Sequence, residues 1–274
     1  MDYMLVRQDT ITKIHLSEIL LLMIESTAVS LTASLLCELT KRKIKVIFCD
    51  EKRNPSSELI GYYGSHDTSA KVRKQIQWSS ESKKLIWTEI VSEKIRNQKL
   101  FLEDLQKNEE SALLSTYISE ILPGDETNRE GHAAKVYFNA LFGMKFSGTL
   151  DIPINGALNY GYSLILSMVN REITANGYLT QLGLFHDNMF NQFNLGSDLM
   201  EPFRILIDRK VYQNLPDQFE HEEKMQIVDV LNENVIIDGK RNYVSNAIKI
   251  YCRSVFDAID ENDVSLLRFY RNEG

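Results

Sequence analysis

Hydrophobic and polar positions change their period near residue 62. Before that point, residues 3–6, 10–15, 18–24, 44–49 and 58–62 form short runs rich in β-branched, aromatic and other apolar side chains, of strand length. Between them, residues 30–41 put Leu31, Leu35, Leu36 and Leu39 on one face, with a Ser or Thr available as cap and a basic final turn. This pattern predicts a small sheet-forming unit carrying one helix.

After the break at Tyr62-Tyr-Gly-Ser-His-Asp67 the period becomes helical. Residues 85–105 repeat apolar side chains at Ile86, Ile90, Ile95 and Leu102, and residues 111–121 form a second such stretch. Pro123-Gly124 stops that helix and introduces another carrying Glu130; a further one follows Pro153 to about Asn176, with Gly177 at its exit. Later helices are predicted near 200–212, 222–231 and 245–259, and a hairpin around Gly239 from 235–238 and 241–244. The fold class is therefore α+β. A β-rich N-terminal domain with one helix, residues 1–64, is joined by a linker, 65–78, to a larger, mainly α-helical domain, 79–274.

Composition narrows the function classes. The 274 residues, 43% hydrophobic, can bury a substantial core. The longest apolar run, Ile19 to Ile24, falls short of the roughly 20 residues a membrane span requires, and Asp2 stands where a secretory signal would be basic. A soluble, cytoplasmic protein without membrane contact is expected. Cys37, Cys49 and Cys252 are scattered, which predicts neither a disulfide framework nor a thiolate zinc site, but reduced and mostly buried thiols. A net charge of −7 argues against coating nucleic acid by charge alone. Residues 1–80 carry 11 Lys and Arg against 9 Asp and Glu, and the remainder 20 against 29, so any phosphate-binding surface must be local. The candidates are Lys41-Arg42-Lys43 with Lys45, Lys52-Arg53, Lys71-Val-Arg73-Lys74 and Arg209-Lys210; each, taken singly, also reads as an ordinary solvated face.

Three groups could carry chemistry: Glu130 in Thr127-Asn-Arg-Glu-Gly-His132, His186 in Gly183-Leu-Phe-His186, and Glu201 in Ser197-Asp-Leu-Met-Glu-Pro-Phe-Arg204. Two carboxylates and an imidazole make a plausible hard-metal site if the fold brings them together. Each also has a structural reading. Thr127-x-x-Glu130 has the spacing of a capping box, and Asp198-x-x-Glu201 before Pro202 suits a helix start. His186 follows apolar residues, as a buried hydrogen-bonded histidine would. Local spacing leaves both readings open.

Longer stretches carry a resemblance. Asn128-Arg-Glu-Gly-His-Ala-Ala-Lys-Val-Tyr-Phe138, Pro153-Ile-Asn-Gly-Ala-Leu-Asn-Tyr-Gly-Tyr162 and His186 through Arg204 resemble the CRISPR-associated endonuclease and integrase family of the spacer-acquisition module. Val46-Ile-Phe-Cys-Asp50 and Tyr63-Gly-Ser-His-Asp67 resemble its type II-A branch. The resemblance covers nearly the whole chain. It implies Glu130, His186 and Glu201 as catalytic residues and as ligands of Mg²⁺ or Mn²⁺. Asp198, Arg204, Asn155, Asn159 and Tyr160 resemble residues that support such a site or contact phosphate.

The implied reaction is attack by a DNA 3′-hydroxyl on a phosphodiester at a CRISPR repeat boundary, so that double-stranded spacer DNA is inserted into the array. The implied assembly is a homodimer joined through the β domains, bound to a small CRISPR-associated adaptation partner. Two other readings compete: a non-catalytic scaffold that holds DNA in the same complex, and a stand-alone nuclease for branched DNA. Relatives begin with an additional strand and turn, so about 15 residues at the edge of the β domain are expected to be missing here relative to the family pattern.

Overall fold

Strands β1 (Tyr3–Arg7) and β2 (Ile11–His15) open the chain as an antiparallel pair, with Tyr3 opposite His15 and Arg7 opposite Ile11. The computed structural model describes residues 2–62 and 64–272; Tyr63, within one stretch that carries the resemblance, lies outside them, as do Met1, Glu273 and Gly274. A second sheet is built from β3 (Leu21–Ile24), β4 (Lys45–Cys49) and β5 (Pro55–Leu59), with β4 central, parallel to β3 and antiparallel to β5. Helix α1 (Ala33–Lys41), capped by the Thr32 side chain on the Leu35 amide, makes the parallel crossover from β3 to β4. Met4, Leu16, Leu39, Ile44 and Val46 form the core of this unit.

Two strand boundaries differ from the pattern. The run 18–24 starts inside a 3-10 turn, Leu16–Glu18, and extends only from Leu21. The last strand begins at Pro55 rather than 58, because proline is tolerated at the first residue of an edge strand, where no ladder N–H is required.

The predicted linker is itself folded. Helix α2 (Thr68–Ile76) occupies most of residues 65–78, and the buried Gln75 amide bonds the Leu179 N–H (2.8 Å) and the Leu179 and Leu182 carbonyls (2.9 and 3.0 Å). The helical part follows as α3 (Ser80–Asp104), α4 (Asn108–Ser119), α5 (Arg129–Phe142), α6 (Pro153–Ala175), α7 (Asn194–Leu199), α8 (Arg204–Asn214) and α9 (His221–Val228). After these come β6 (Asn234–Ile237), β7 (Lys240–Tyr243), α10 (Val244–Glu261) and β8 (Arg271–Asn272), with β6 between β7 and β8. Asp238 and Gly239 both have positive φ (53° and 70°), the signature of the tight turn that matches strand twist in a two-residue hairpin.

Helices α3, α6 and α10 enclose the main core. Ile90, Val91 and Ile95 share one buried cluster with Leu164, Ile165, Met168 and Val169 and with Tyr251 and Val255, all essentially inaccessible to solvent. Such burial removes several side chains from water at roughly 1.5–3 kcal/mol each, which fixes α3 and hence every side chain on it. The N-terminal sheet is tied to this body by polar contacts: Lys224 Nζ donates to the Lys52 carbonyl (2.7 Å), Arg171 Nε to the Lys43 carbonyl (2.7 Å) and Lys43 Nζ to the Ala175 carbonyl (3.0 Å). Cys49 and Cys252 are buried and Cys37 is exposed. Among the described residues no helix is long and apolar enough to cross a membrane.

Candidate metal and phosphate site

Glu130 lies in the first turn of α5, but the capping box suggested by Thr127 is not formed. The Asp125 carboxylate accepts the Arg129 and Glu130 amides (2.7 and 3.0 Å), and the Asn128 side chain accepts the Gly131 amide (3.3 Å). Asn128 sits in the left-handed region (φ 52°), which asparagine tolerates better than most residues. With the orphan amides satisfied by these two side chains, the Glu130 carboxylate is released to face α3.

Asp198, on α7, does not cap its own helix segment either. Fully buried, it accepts the backbone amides of Leu184 (2.6 Å), Phe185 (3.2 Å) and His186 (3.1 Å), and bonds His186 Nδ1 at 2.6 Å. The charge is thereby spread over a nest of donors, and the loop before His186 is clamped to α7. Gly183 makes the approach possible: a Cβ there would stand 2.3 Å from the His186 carbonyl oxygen and 2.7 Å from Asp198 Oδ2. From α3, Trp87 stacks on Phe185 (centroids 4.7 Å apart, planes at 3°) and meets the His186 ring edge-on at 5.8 Å. The Asp198 hydrogen bond outweighs burial and raises the His186 pKa. With Nδ1 engaged, Nε2 is the ring nitrogen left for a ligand.

Glu201 begins a 3-10 turn, Glu201–Phe203, that leads into α8. Its carboxylate is paired with Arg204 Nε (3.0 Å) and, on Oε2, with the Lys94 ammonium from α3. The same ammonium pairs with Glu130 Oε1. Burial disfavours the charges on Glu201, Lys94 and Arg204, yet their mutual attraction prevails. It holds the Glu201 pKa below, and the Lys94 and Arg204 pKa values above, their ordinary ranges. Arg204 lies over the Tyr162 ring at 4.7 Å, and the Tyr162 hydroxyl donates to Asp208. Asp208 is fully enclosed, and burial pushes its pKa up to about 6 despite the hydrogen bond from Tyr162.

The structure therefore brings Glu130 and Glu201 together on one cation and sets His186 within electrostatic reach of Glu201, with Asp198 behind the ring. Two carboxylates and an imidazole suit Mg²⁺ or Mn²⁺, and Glu201 Oε2, which is buried and makes no hydrogen bond beyond its ion pair, is an oxygen a metal could satisfy. Among the described residues, no three His, Cys, Asp or Glu side chains are grouped closely enough to hold a metal; the acids converge on Lys94.

Asn155 is buried and spends its amide on the Ser147 and Leu150 carbonyls (both 2.8 Å). With the exposed Asn159, Tyr162 and Arg204 it lines a cavity of about 370 Å³. Tyr160 is not at the site: it packs against Phe219 and its hydroxyl meets Met23 Sδ of β3 at 3.0 Å. The tyrosine beside Arg204 is Tyr162. Sequence reasoning missed Lys94, Trp87, Tyr162 and Asp208. A signal existed for Lys94, a charged residue set among the core-facing Ile90, Val91 and Ile95 of α3.

The basic strips are largely engaged in ion pairs. Lys45 is buried against Glu58 (2.6 Å), Arg42 meets Asp2 (2.7 Å), Lys71 and Lys74 meet Asp260 (3.5 and 3.0 Å), and Arg209 and Lys210 meet Asp104 (2.8 Å) and Glu233 (2.7 Å).

The chain is similar to known proteins over most of its length. The family described as CRISPR associated protein Cas1 matches residues 3–229. A CRISPR-associated endonuclease Cas1 from Neisseria meningitidis serogroup C is 36% identical over 198 residues, covering 72% of this chain and 65% of that protein. A second, from Francisella tularensis subsp. novicida, is 25% identical over 261 residues, 86% of this chain and 80% of the relative. A Cas1 protein from Thermotoga maritima has the same fold, with a TM-score of 0.76 at 18% identity, over 94% of this chain and 92% of that one. A casposase bound to integration product gives a TM-score of 0.75 at 18% identity, over 89% and 79%. By the extent of the family match, this chain belongs to the CRISPR-associated Cas1 family.

Proposed function

We propose that the protein is a divalent-metal-dependent DNA endonuclease and integrase that inserts spacer DNA into a CRISPR array. The observation that carries this reading is the meeting of Glu130 and Glu201, from separate elements, on one buried cation beside His186, in a chain of the Cas1 family. Glu130, Glu201 and the His186 Nε2 would hold Mg²⁺ or Mn²⁺. When bound, such an ion supplies a Lewis acid that eases loss of the attacking hydroxyl's proton and offsets charge on the phosphoryl oxygens.

The residues of the chain do the rest. Asp198 keeps the proton on His186 Nδ1, so that Nε2 carries the lone pair. Arg204, over Tyr162 and at the edge of the large cavity, orients a phosphate there with Asn159. A 3′-oxygen forms a new bond to phosphorus as the bond to the departing 3′-oxygen breaks; the proton lost by the attacking hydroxyl is balanced by one gained on the leaving oxygen. The enzyme acts on double-stranded DNA as a homodimer joined through residues 1–64, with a small CRISPR-associated partner setting the distance between active sites.

One observation favours a non-catalytic scaffold: Lys94 already neutralises both acids. Glu130→Gln separates the two readings. It keeps the size and a hydrogen-bonding oxygen but removes the charge. The expected result is a folded protein that binds duplex DNA yet yields no joined product from labelled duplex and a supercoiled repeat plasmid, with partner and Mg²⁺ or Mn²⁺ present. Full integration by this variant would leave the scaffold reading standing.

A further inference from the structure

The four side chains that pair directly at the site balance in charge without any metal, with the Asp208 carboxylate beside them outside the pairing. Glu130 and Glu201 contribute two negative charges, and Lys94 and Arg204, both paired with Glu201, contribute two positive ones. Adding a divalent ion while the Lys94 ammonium keeps its place would set like charges against each other where solvent screens weakly: the Lys94 side chain is 9% exposed and that of Glu201 5%. A metal arriving there would therefore favour displacement of Lys94.

An unpartnered acceptor lies on the same helix. One turn along α3, Gln98 is buried at 3% exposure, and its Oε1 is an acceptor with no hydrogen-bond partner. An orphaned buried carbonyl of this kind costs about 1–3 kcal/mol unless something fills it. Lys94, Gln98, Glu201, Arg204 and Asp208 line one small cleft of about 20 Å³, which is room for a single ammonium or water. The Asp208 and Glu201 carboxylates in this cleft offset the Arg204 guanidinium for the incoming charge.

We propose that Lys94 is a resident counter-cation of the Glu130 and Glu201 carboxylates which a divalent metal displaces, and that Gln98 Oε1 receives the displaced ammonium. The inference rests on the metal reading of this site given above. It assigns Lys94 two tasks. In the metal-free protein it holds the two acids facing one another instead of letting them repel. It also sets the metal affinity below what the carboxylates alone would give, so that the site loads only when binding compensates for moving the lysine.

The test is Mn²⁺ binding to the full chain, followed by electron paramagnetic resonance of free Mn²⁺ and by calorimetry, in wild type, Lys94→Met, Gln98→Met and the double variant. Lys94→Met is expected to bind Mn²⁺ at least about tenfold more tightly, because removing a neighbouring like charge is worth more than the 1.4 kcal/mol a factor of ten requires. Gln98→Met is expected to weaken binding several-fold in wild type and to change nothing once Lys94 is gone, the coupling that a merely structural glutamine would not show.

Thermal melting adds a readout independent of affinity. Metal-free Lys94→Met melts lower than wild type and recovers with Mn²⁺. Lys94→Gln, which can bond both carboxylates, serves if the methionine variant does not fold. Mn²⁺ affinity that is unchanged or weaker in both lysine variants, with wild-type binding still dependent on Glu130 and Glu201, would overturn the inference and leave the metal reading intact. Absence of Mn²⁺ binding from wild type and lysine variants alike would overturn the metal reading, and the inference with it.

Discussion

Asp198→Asn tests whether the acid behind His186 positions the ligand or is one itself. The four contacts of Asp198 are the amides of Leu184, Phe185 and His186 and the His186 Nδ1. An asparagine can keep its oxygen toward Leu184 and Phe185, but its NH₂ then faces the His186 N–H, donor against donor. That leaves one buried amide orphaned, at about 1–3 kcal/mol, and removes roughly 1 kcal/mol of charge assistance from each surviving bond. The sum is about 3–5 kcal/mol, which for a chain of this size lowers the melting temperature by about 10 °C.

The same NH₂ forces His186 Nδ1 to accept, and the ring proton moves to Nε2, the atom proposed as a ligand. Metal affinity should fall by about 10–100-fold, as it does when a partner that orients a ligating histidine is lost. The assays are thermal melting, hydrogen exchange of amides 184–186, and nitrogen-detected NMR of the His186 tautomer in the metal-free protein. If the variant loses metal affinity but keeps the Nδ1–H tautomer, the wild-type melting temperature and protected amides, the reasoning is refuted and Asp198 acts as a direct ligand.

Two further predictions rest on particular contacts. Asp208 has a folded pKa raised to about 6 against an ordinary 3.8, so its contribution is fully present below pH 3.8 and is lost as pH rises towards 6. Asp208→Asn should then be more stable than wild type at pH 7.5 by up to about 3 kcal/mol, with the difference closing near pH 4 in denaturant titrations; a gap independent of pH would refute this. Gly183→Ala drives a methyl group into the His186 carbonyl and the Asp198 carboxylate. It should cost about 1–3 kcal/mol and speed exchange of the 184–186 amides, and an unperturbed loop would contradict the close approach.

Much of the fold was legible because period and punctuation agree along the helical part. Pro153 at the start of α6, the buried apolar positions of α3 and the Asp238-Gly239 turn each satisfy a local rule that their surroundings do not override. The N-terminal sheet was less so. Residues 18–20 have strand composition but enter through a 3-10 turn, and the run at 58–62 hid the true start at Pro55, since short strands are decided by their neighbours rather than by their own propensity. The stretch 65–78 reads as a tether because it follows the break in pattern at residues 62–67. It is fixed instead by Gln75, a polar residue bonded to backbone 104 and 107 positions away.

The candidate site shows why spacing could not choose between helix caps and ligands. Thr127-x-x-Glu130 and Asp198-x-x-Glu201 each contain a carboxylate at a plausible capping position. What decides is who else satisfies the backbone. Asp125 and Asn128 take the amides at the start of α5, and Asp198 takes three amides from a loop more than ten residues earlier, so neither glutamate is required as a cap. Both are then free to meet in a space where two negative charges could not remain without a cation. The cation supplied by the chain, Lys94, comes from the core-facing side of α3, where a charge among apolar residues is its one sequence signal. The proposed ligands lie in the acidic segments, while the cation between them is a side chain that only tertiary packing brings to them.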